Sequence, residues 1–144
     1  MAISILALGV SIFTLRERRV LDRRDLFLKM HERLLDQDVM RGRRILTREV
    51  HSLFDVRQLY IERHNDYEIV SRALSMLDFA ALYVKQGYIE KNLFIDEWGV
   101  VYVELRKHFL LLVEEKAKDD PSYMWSWRHF KTLADEASLR LATP

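Results

Sequence analysis

Residues 65–87 read NDYEIVSRALSMLDFAALYVKQG, and the fold class follows from how they are spaced. Val70, Ala73, Leu74, Leu77, Ala81 and Val84 recur at intervals of three and four, which lines one face of an α-helix. Asn65 stands where a cap is wanted, and Glu68, three residues on, is placed to complete a capping box. Lys85 falls in the last turn, where it complements the helix dipole, and Gly87 falls where a left-handed residue ends a helix. A helix with one apolar face has to bury that face against other elements. Asp78 interrupts the stripe between Leu74 and Ala81. A carboxylate there needs a partner if buried. The expected partner is Arg44, with Arg128 second; at the edge of the stripe Asp78 is simply hydrated.

Towards the C-terminus, residues 90–116 are apolar on more than one side. Trp98, Val101, Tyr102, Leu105, Phe109 and Leu112 form one stripe, and Val100, Val103, Leu110 and Leu111 occupy much of the opposite side. A helix greasy nearly all round is expected at the centre of a bundle. A membrane span is the competing reading, but Glu104, Arg106, Lys107 and His108 interrupt it at a cost of several kcal/mol per central charge. Asp120-Pro121 then predicts the last helix, with Asp120 as cap and Pro121 at the first helical position. Tyr123, Trp127, Phe130, Ala134 and Ala137 are its expected inner stripe. Of the three tryptophans, Trp98 and Trp127 read as core. Trp125 lies about 200° round such a helix from Trp127, which makes it a candidate partner surface.

Towards the N-terminus the pattern is less regular. Ile45, Leu46, Val50, Leu53 and Phe54 form a helical stripe, and Gly42 weakens the first turns by up to about 1 kcal/mol relative to alanine. The spacing leaves open whether 55–62 continues that helix or forms a second one. Asp36-Gln37-Asp38 is a polar break in which either aspartate can cap. Before it, Leu26, Phe27, Met30 and Leu34 share a face.

Composition agrees with long helices. Only four glycines and two prolines punctuate 144 residues, too few for the turns of an all-β chain. Lys+Arg (23) almost cancels Asp+Glu (22), so the whole molecule is no general polyanion binder. Cysteine is absent, which removes disulfides and thiolate metal sites. The expected fold is therefore all-α: a single helical bundle of four to five helices over residues 16–144, with an apolar N-terminal helix.

That N-terminal segment, MAISILALGVSIFTL over residues 1–15, carries no charge, and Arg16, Arg18, Arg19, Arg23 and Arg24 follow it. An apolar run ending in arginines is how a span meets the cytoplasm, so a membrane anchor is expected with the domain on the cytoplasmic side. Fifteen helical residues reach about 22 Å against a hydrocarbon core of about 30 Å, so the anchor is short or truncated. A helix end packed in the core is the rival, with a cytoplasmic location. A secretory signal peptide has its charge on the other side. The basic cluster fits anionic lipid, at about 1 kcal/mol per residue near the surface.

Three stretches, RGRRILTREVHS (41–52), VSRALSMLDFAALYVKQGYIEKNLFIDEWG (70–99) and WRHFKTLADEA (127–137), resemble in their order a family of bacterial proteins containing a domain of unknown function. The resemblance covers roughly 41–137. It implies one N-terminal membrane helix and a cytoplasmic all-helical domain, and it supplies no catalytic residues.

Chemistry-bearing motifs are sparse. His31, His51, His64, His108 and His129 are dispersed, with no HxxxH pair and no Glu-x-x-His, so neither a zinc helix nor a di-iron bundle is predicted. No phosphate-cradling glycine loop or nucleophile elbow occurs. No metal, cofactor or catalytic residue is expected. Arg41, Arg44 and Arg48 share a helical face and define the nucleic-acid alternative, against which stands a solvated or internally paired face. The leading expectation is a non-catalytic, membrane-tethered module acting by contact with another protein or with itself. An enzyme of unrecognised type is the remaining alternative.

Overall fold

The computed structural model describes residues 21–142, and every regular element among them is helical. The described part of α1 covers 21–34, followed by α2 (Gln37–Glu49), α3 (Leu53–Glu62), α4 (His64–Lys85), α5 (Lys91–Asp119) and α6 (Arg128–Leu141). A short 3₁₀ turn, Pro121–Trp125, separates the last two. The expected four to five helices are six because the irregular stretch after Asp38 is two helices rather than one. The apolar segment 1–15, with Arg16, Arg18 and Arg19, lies outside the described residues. Among those described, no helix is long and apolar enough to cross a membrane.

Helix α1 docks through its last two turns. Met30 and Leu34 are buried and Leu26 and Phe27 half-buried, whereas residues 21–25 are all exposed. Asp36 is the cap that starts α2, accepting the Asp38 N–H at 2.9 Å. Ile45, Leu46 and Val50 are buried as their spacing predicts, but the stripe does not continue: Leu53 is half-buried and Phe54 exposed. A local signal explains the break. The Ser52 hydroxyl accepts the Asp55 N–H at 3.2 Å while the Asp55 carboxylate accepts the Ser52 N–H at 2.8 Å and the His51 N–H at 2.9 Å. That capping box restarts the chain as α3 in a new direction.

Helix α4 begins at His64, one residue before the predicted cap, so Asn65 and Glu68 stand inside it and form no box. Arg63 does the local work instead, holding Glu49 at the end of α2 and Asp66 in the first turn of α4. At the other end the reading holds. Gly87 has φ +73°, its N–H reaches the Val84 carbonyl at 3.0 Å, and the Tyr88 N–H reaches that of Tyr83 at 3.0 Å. This is a Schellman ending, which glycine permits without a Cβ penalty.

Val70, Ala73, Leu74, Leu77, Ala81 and Val84 are all buried, packed between α2 and α6. Where α2 crosses α4, a Cβ on Gly42 would lie 2.6 Å from both the Ala73 Cβ and the Ile69 carbonyl oxygen. Helix α5 contributes Phe94, Trp98, Tyr102, Leu105, Phe109 and Leu112 to the same core. Its opposite side is only partly covered: Val103, Leu110 and Leu111 are half-buried and Val100 is exposed. Thus α5 is flanked rather than fully sheathed.

The final helix also starts later than predicted. Asp120 does cap, accepting the Ser122 N–H at 2.9 Å with Pro121 next to it, but what it caps is the 3₁₀ turn. Trp127 then adopts a left-handed backbone, φ 51°, which redirects the chain into α6.

Candidate partner surface and tyrosine cage

One cluster brings together residues from four elements. Lys116, in the last turns of α5, is only 6% exposed. Its ammonium nitrogen lies 3.2 Å from the centroid of the Tyr60 ring (α3), 5.3 Å from that of Tyr123 (3₁₀ turn) and 5.8 Å from that of Tyr67 (α4). The Tyr67 and Tyr123 hydroxyls are 3.2 Å apart, and the Tyr60 and Tyr67 rings meet edge to face at 5.1 Å. Lys116 forms no ion pair among the described residues. With no carboxylate in direct contact and Asp120 acting on it only at longer range, this largely buried cation is stabilised by the negative faces of aromatic rings. Burial first, then the hydrogen bond with Tyr123, raises the Tyr67 phenol far above its ordinary value. Tyr67 therefore faces the cation as a neutral phenol rather than a phenolate.

Large apolar side chains stand exposed on two of the elements that build this cage. Ile61 follows Tyr60, and Phe54 lies two turns earlier on the same face of α3; they are 65% and 66% exposed. Met124 and Trp125 follow Tyr123 in the 3₁₀ turn, at 61% and 76%. Trp125 is thus the outward tryptophan, although the turn rather than a continuous helix puts it there. Trp98 is buried, its indole N–H donating to His31 Nδ1 at 3.2 Å. Trp127 is half-buried, its N–H donating to the Ser75 hydroxyl at 3.0 Å.

The basic residues of α2 have different neighbours. Arg41 pairs with Asp66 at 3.0 Å, on the α4 side. Arg44 and Arg48 line a different groove of about 280 Å³ between α2 and α5, with Arg43, Thr47 and Glu104. Arg43 is the inward member, its guanidinium 5.3 Å from the Trp98 centroid. Burial lowers its pKa and Glu104 partly offsets this. Arg23 and Arg24 of the expected lipid-facing cluster are both exposed on α1.

Asp78 pairs with neither Arg44 nor Arg128. Its Oδ1 accepts the backbone N–H of Phe130 at 2.8 Å, the third residue of α6. The residue before α6, Trp127, supplies no side-chain cap, so α4 lends one. An unpaired amide at a helix start satisfies a carboxylate as an arginine would. Two histidines are built into the packing: besides His31, His108 Nδ1 lies 2.5 Å from the Val50 carbonyl oxygen. Among the described residues no three His, Asp or Glu side chains converge as metal ligands.

Trp125 is legible in the sequence, whereas the cage is not. Tyr60 and Tyr67 sit on different helices either side of Arg63, and Lys116 and Tyr123 are separated by the end of α5. No periodicity links them; only the tertiary fold does. No protein-family model, curated protein or solved structure matches this chain.

Proposed function

We propose that this chain is a non-catalytic, membrane-tethered helical module that acts by protein–protein contact, with a second copy of itself as partner. The observation that carries the reading is the group of exposed apolar side chains, Phe54, Ile61, Met124 and Trp125, mounted on a rigid aromatic base. Apolar clusters on ordered backbone are where partners bind, tryptophan most of all. Their surroundings mix exposed Arg57 and Lys118, both paired with Glu115, with exposed Glu62 and Asp119, so the rim carries no single sign of charge that would repel a second copy.

The tether half rests on the N-terminal pattern and on α1. Its first described turn is exposed on all sides and carries Arg23 and Arg24, consistent with a stalk leaving the helical body towards anionic lipid. The family resemblance of 41–137 implies the same layout. Tethering confines copies to two dimensions and raises their effective concentration, so a small face suffices.

The chain's lack of cysteine provides a clean test. Full-length protein carrying Q58C, between Phe54 and Ile61, is reconstituted in vesicles and oxidised, beside Q86C about 28 Å along α4 from the cage. Disulfide dimers from Q58C but not Q86C are expected. Equal yields overturn the self-association half. Deleting residues 1–15 is expected to release the chain from the vesicles; retention overturns the tether.

A further inference from the structure

The cage holds Lys116 by means that suit a different cation better. A primary ammonium carries three hydrogen-bond donors, yet Lys116 is turned towards ring faces and forms no ion pair among the described residues. A quaternary ammonium has no N–H donors to satisfy and prefers such faces outright. Tyr60, the ring nearest the charge, is 38% exposed, so the cage opens to solvent past it. A displaced lysine also has somewhere to go: Asp120 lies four residues on and is exposed.

We infer that Tyr60, Tyr67 and Tyr123 form an ammonium-binding cage occupied by the chain's own Lys116, and that a quaternary ammonium takes that place when the lysine is withdrawn. The lysine is then a built-in competitor that keeps the site closed to weak cations. Because Tyr123 belongs to the turn that displays Met124 and Trp125, exchange at the cage bears directly on that turn. The inference stands on the cage geometry alone and does not depend on the tether or on self-association.

The test titrates tetramethylammonium chloride into the full-length wild type, K116A and K116A/Y60L, with sodium chloride at equal ionic strength as reference. Binding is read from the upfield shift of the methyl protons and from the thermal midpoint. K116A is expected to bind about tenfold more tightly than wild type, and K116A/Y60L to lose that gain. Equal binding by wild type and K116A overturns the inference, as does indifference to Tyr60. If K116A fails to fold in sodium chloride, recovery in tetramethylammonium supports the cage and failure in both salts counts against it. Two further ligands of K116A, phosphocholine and trimethyllysine amide, separate a lipid source from a peptide source by which is held tighter. Unmethylated lysine amide bound as tightly as its trimethylated form also overturns the inference.

Discussion

The crossing of α2 over α4 and the tyrosine cage at the far end of α5 are closed by opposite means. At the crossing, closure comes from a missing atom: Gly42 lets the backbones approach until Ala73 and the Ile69 carbonyl fill the space of its side chain. At the cage, closure comes from added chemistry, three phenol rings around one ammonium, with large apolar side chains left exposed beside it. The first arrangement leaves nothing to offer a partner. The second spends aromatic and apolar groups near water, where a sealed core would have withdrawn them. The difference separates a seam that folds the chain from a face that remains free to meet something.

The largest effect is expected at the seam. G42A gains helix propensity but places a methyl 2.6 Å from two atoms, one of them backbone. Overpacking of this kind typically costs 1–3 kcal/mol, and the net loss expected here is about 2 kcal/mol. A73G in the same chain removes one of the two clashes and is expected to recover part of the loss. Urea denaturation checks both. An unchanged midpoint in G42A would mean that the helices separate freely and that the seam is no tighter than the cage.

Next comes the joint between α4 and α6, which lies beyond Ala73 along α4, on the side away from Tyr67. Asp78 accepts the Phe130 N–H at 2.8 Å. D78A removes that cap and leaves a half-buried amide unpaired, for an expected loss of about 1–2 kcal/mol. D78N keeps an acceptor oxygen and is expected to lose less than half as much. Equal losses in the two variants would show that charge rather than the hydrogen bond matters at this position.

Legibility in the sequence follows the same division. The reading of short-range signals holds in part: the α4 stripe, Gly87 and an aspartate cap before α2 are in place, but Asp120-Pro121 starts a 3₁₀ turn rather than the last helix, and the Asn65–Glu68 box does not form. Where the deciding partner is distant, it fails. Gly42 looked like a weak point because its propensity is visible and Ala73 is not. Asp78 looked like half of an ion pair because a helix start far along the chain cannot be seen as its partner. The capping box of Ser52 and Asp55 was within reach, four residues from His51 to Asp55, yet the apolar Leu53-Phe54 drew the stripe across it. The cage needs four elements at once and leaves no periodic trace.

That capping box gives a smaller, pH-dependent effect on the cage side, since α3 carries Tyr60. The His51 N–H, then the Ser52 hydroxyl, hold the Asp55 carboxyl below its ordinary value. A depressed folded-state value stabilises the native chain above the unfolded pKa of about 3.9 and is lost as pH falls through the folded value. D55N is therefore expected to be less stable than wild type at pH 7. The gap should narrow below about pH 4 and close once Asp55 is protonated. Thermal midpoints across that range check it, and a gap that persists at the acid end would assign the loss to geometry instead.

The smallest expected change in stability is the most informative about function. Trp125 is 76% exposed, and the turn that carries it is fixed by Asp120, Pro121 and the Tyr123 ring rather than by the indole. W125A therefore removes little that folding has buried, and its unfolding free energy should stay within about 0.5 kcal/mol of wild type. A tryptophan at the centre of a contact between copies behaves in the opposite way, since its loss exposes the partner's apolar surface as well. In the Q58C background, W125A is accordingly expected to cut the yield of disulfide dimer several-fold while the thermal midpoint holds. A fall in both together would make Trp125 part of the fold, erasing the distinction between the seam and the face. A midpoint and a dimer yield that both stay put would leave the exposed indole without a partner in a second copy.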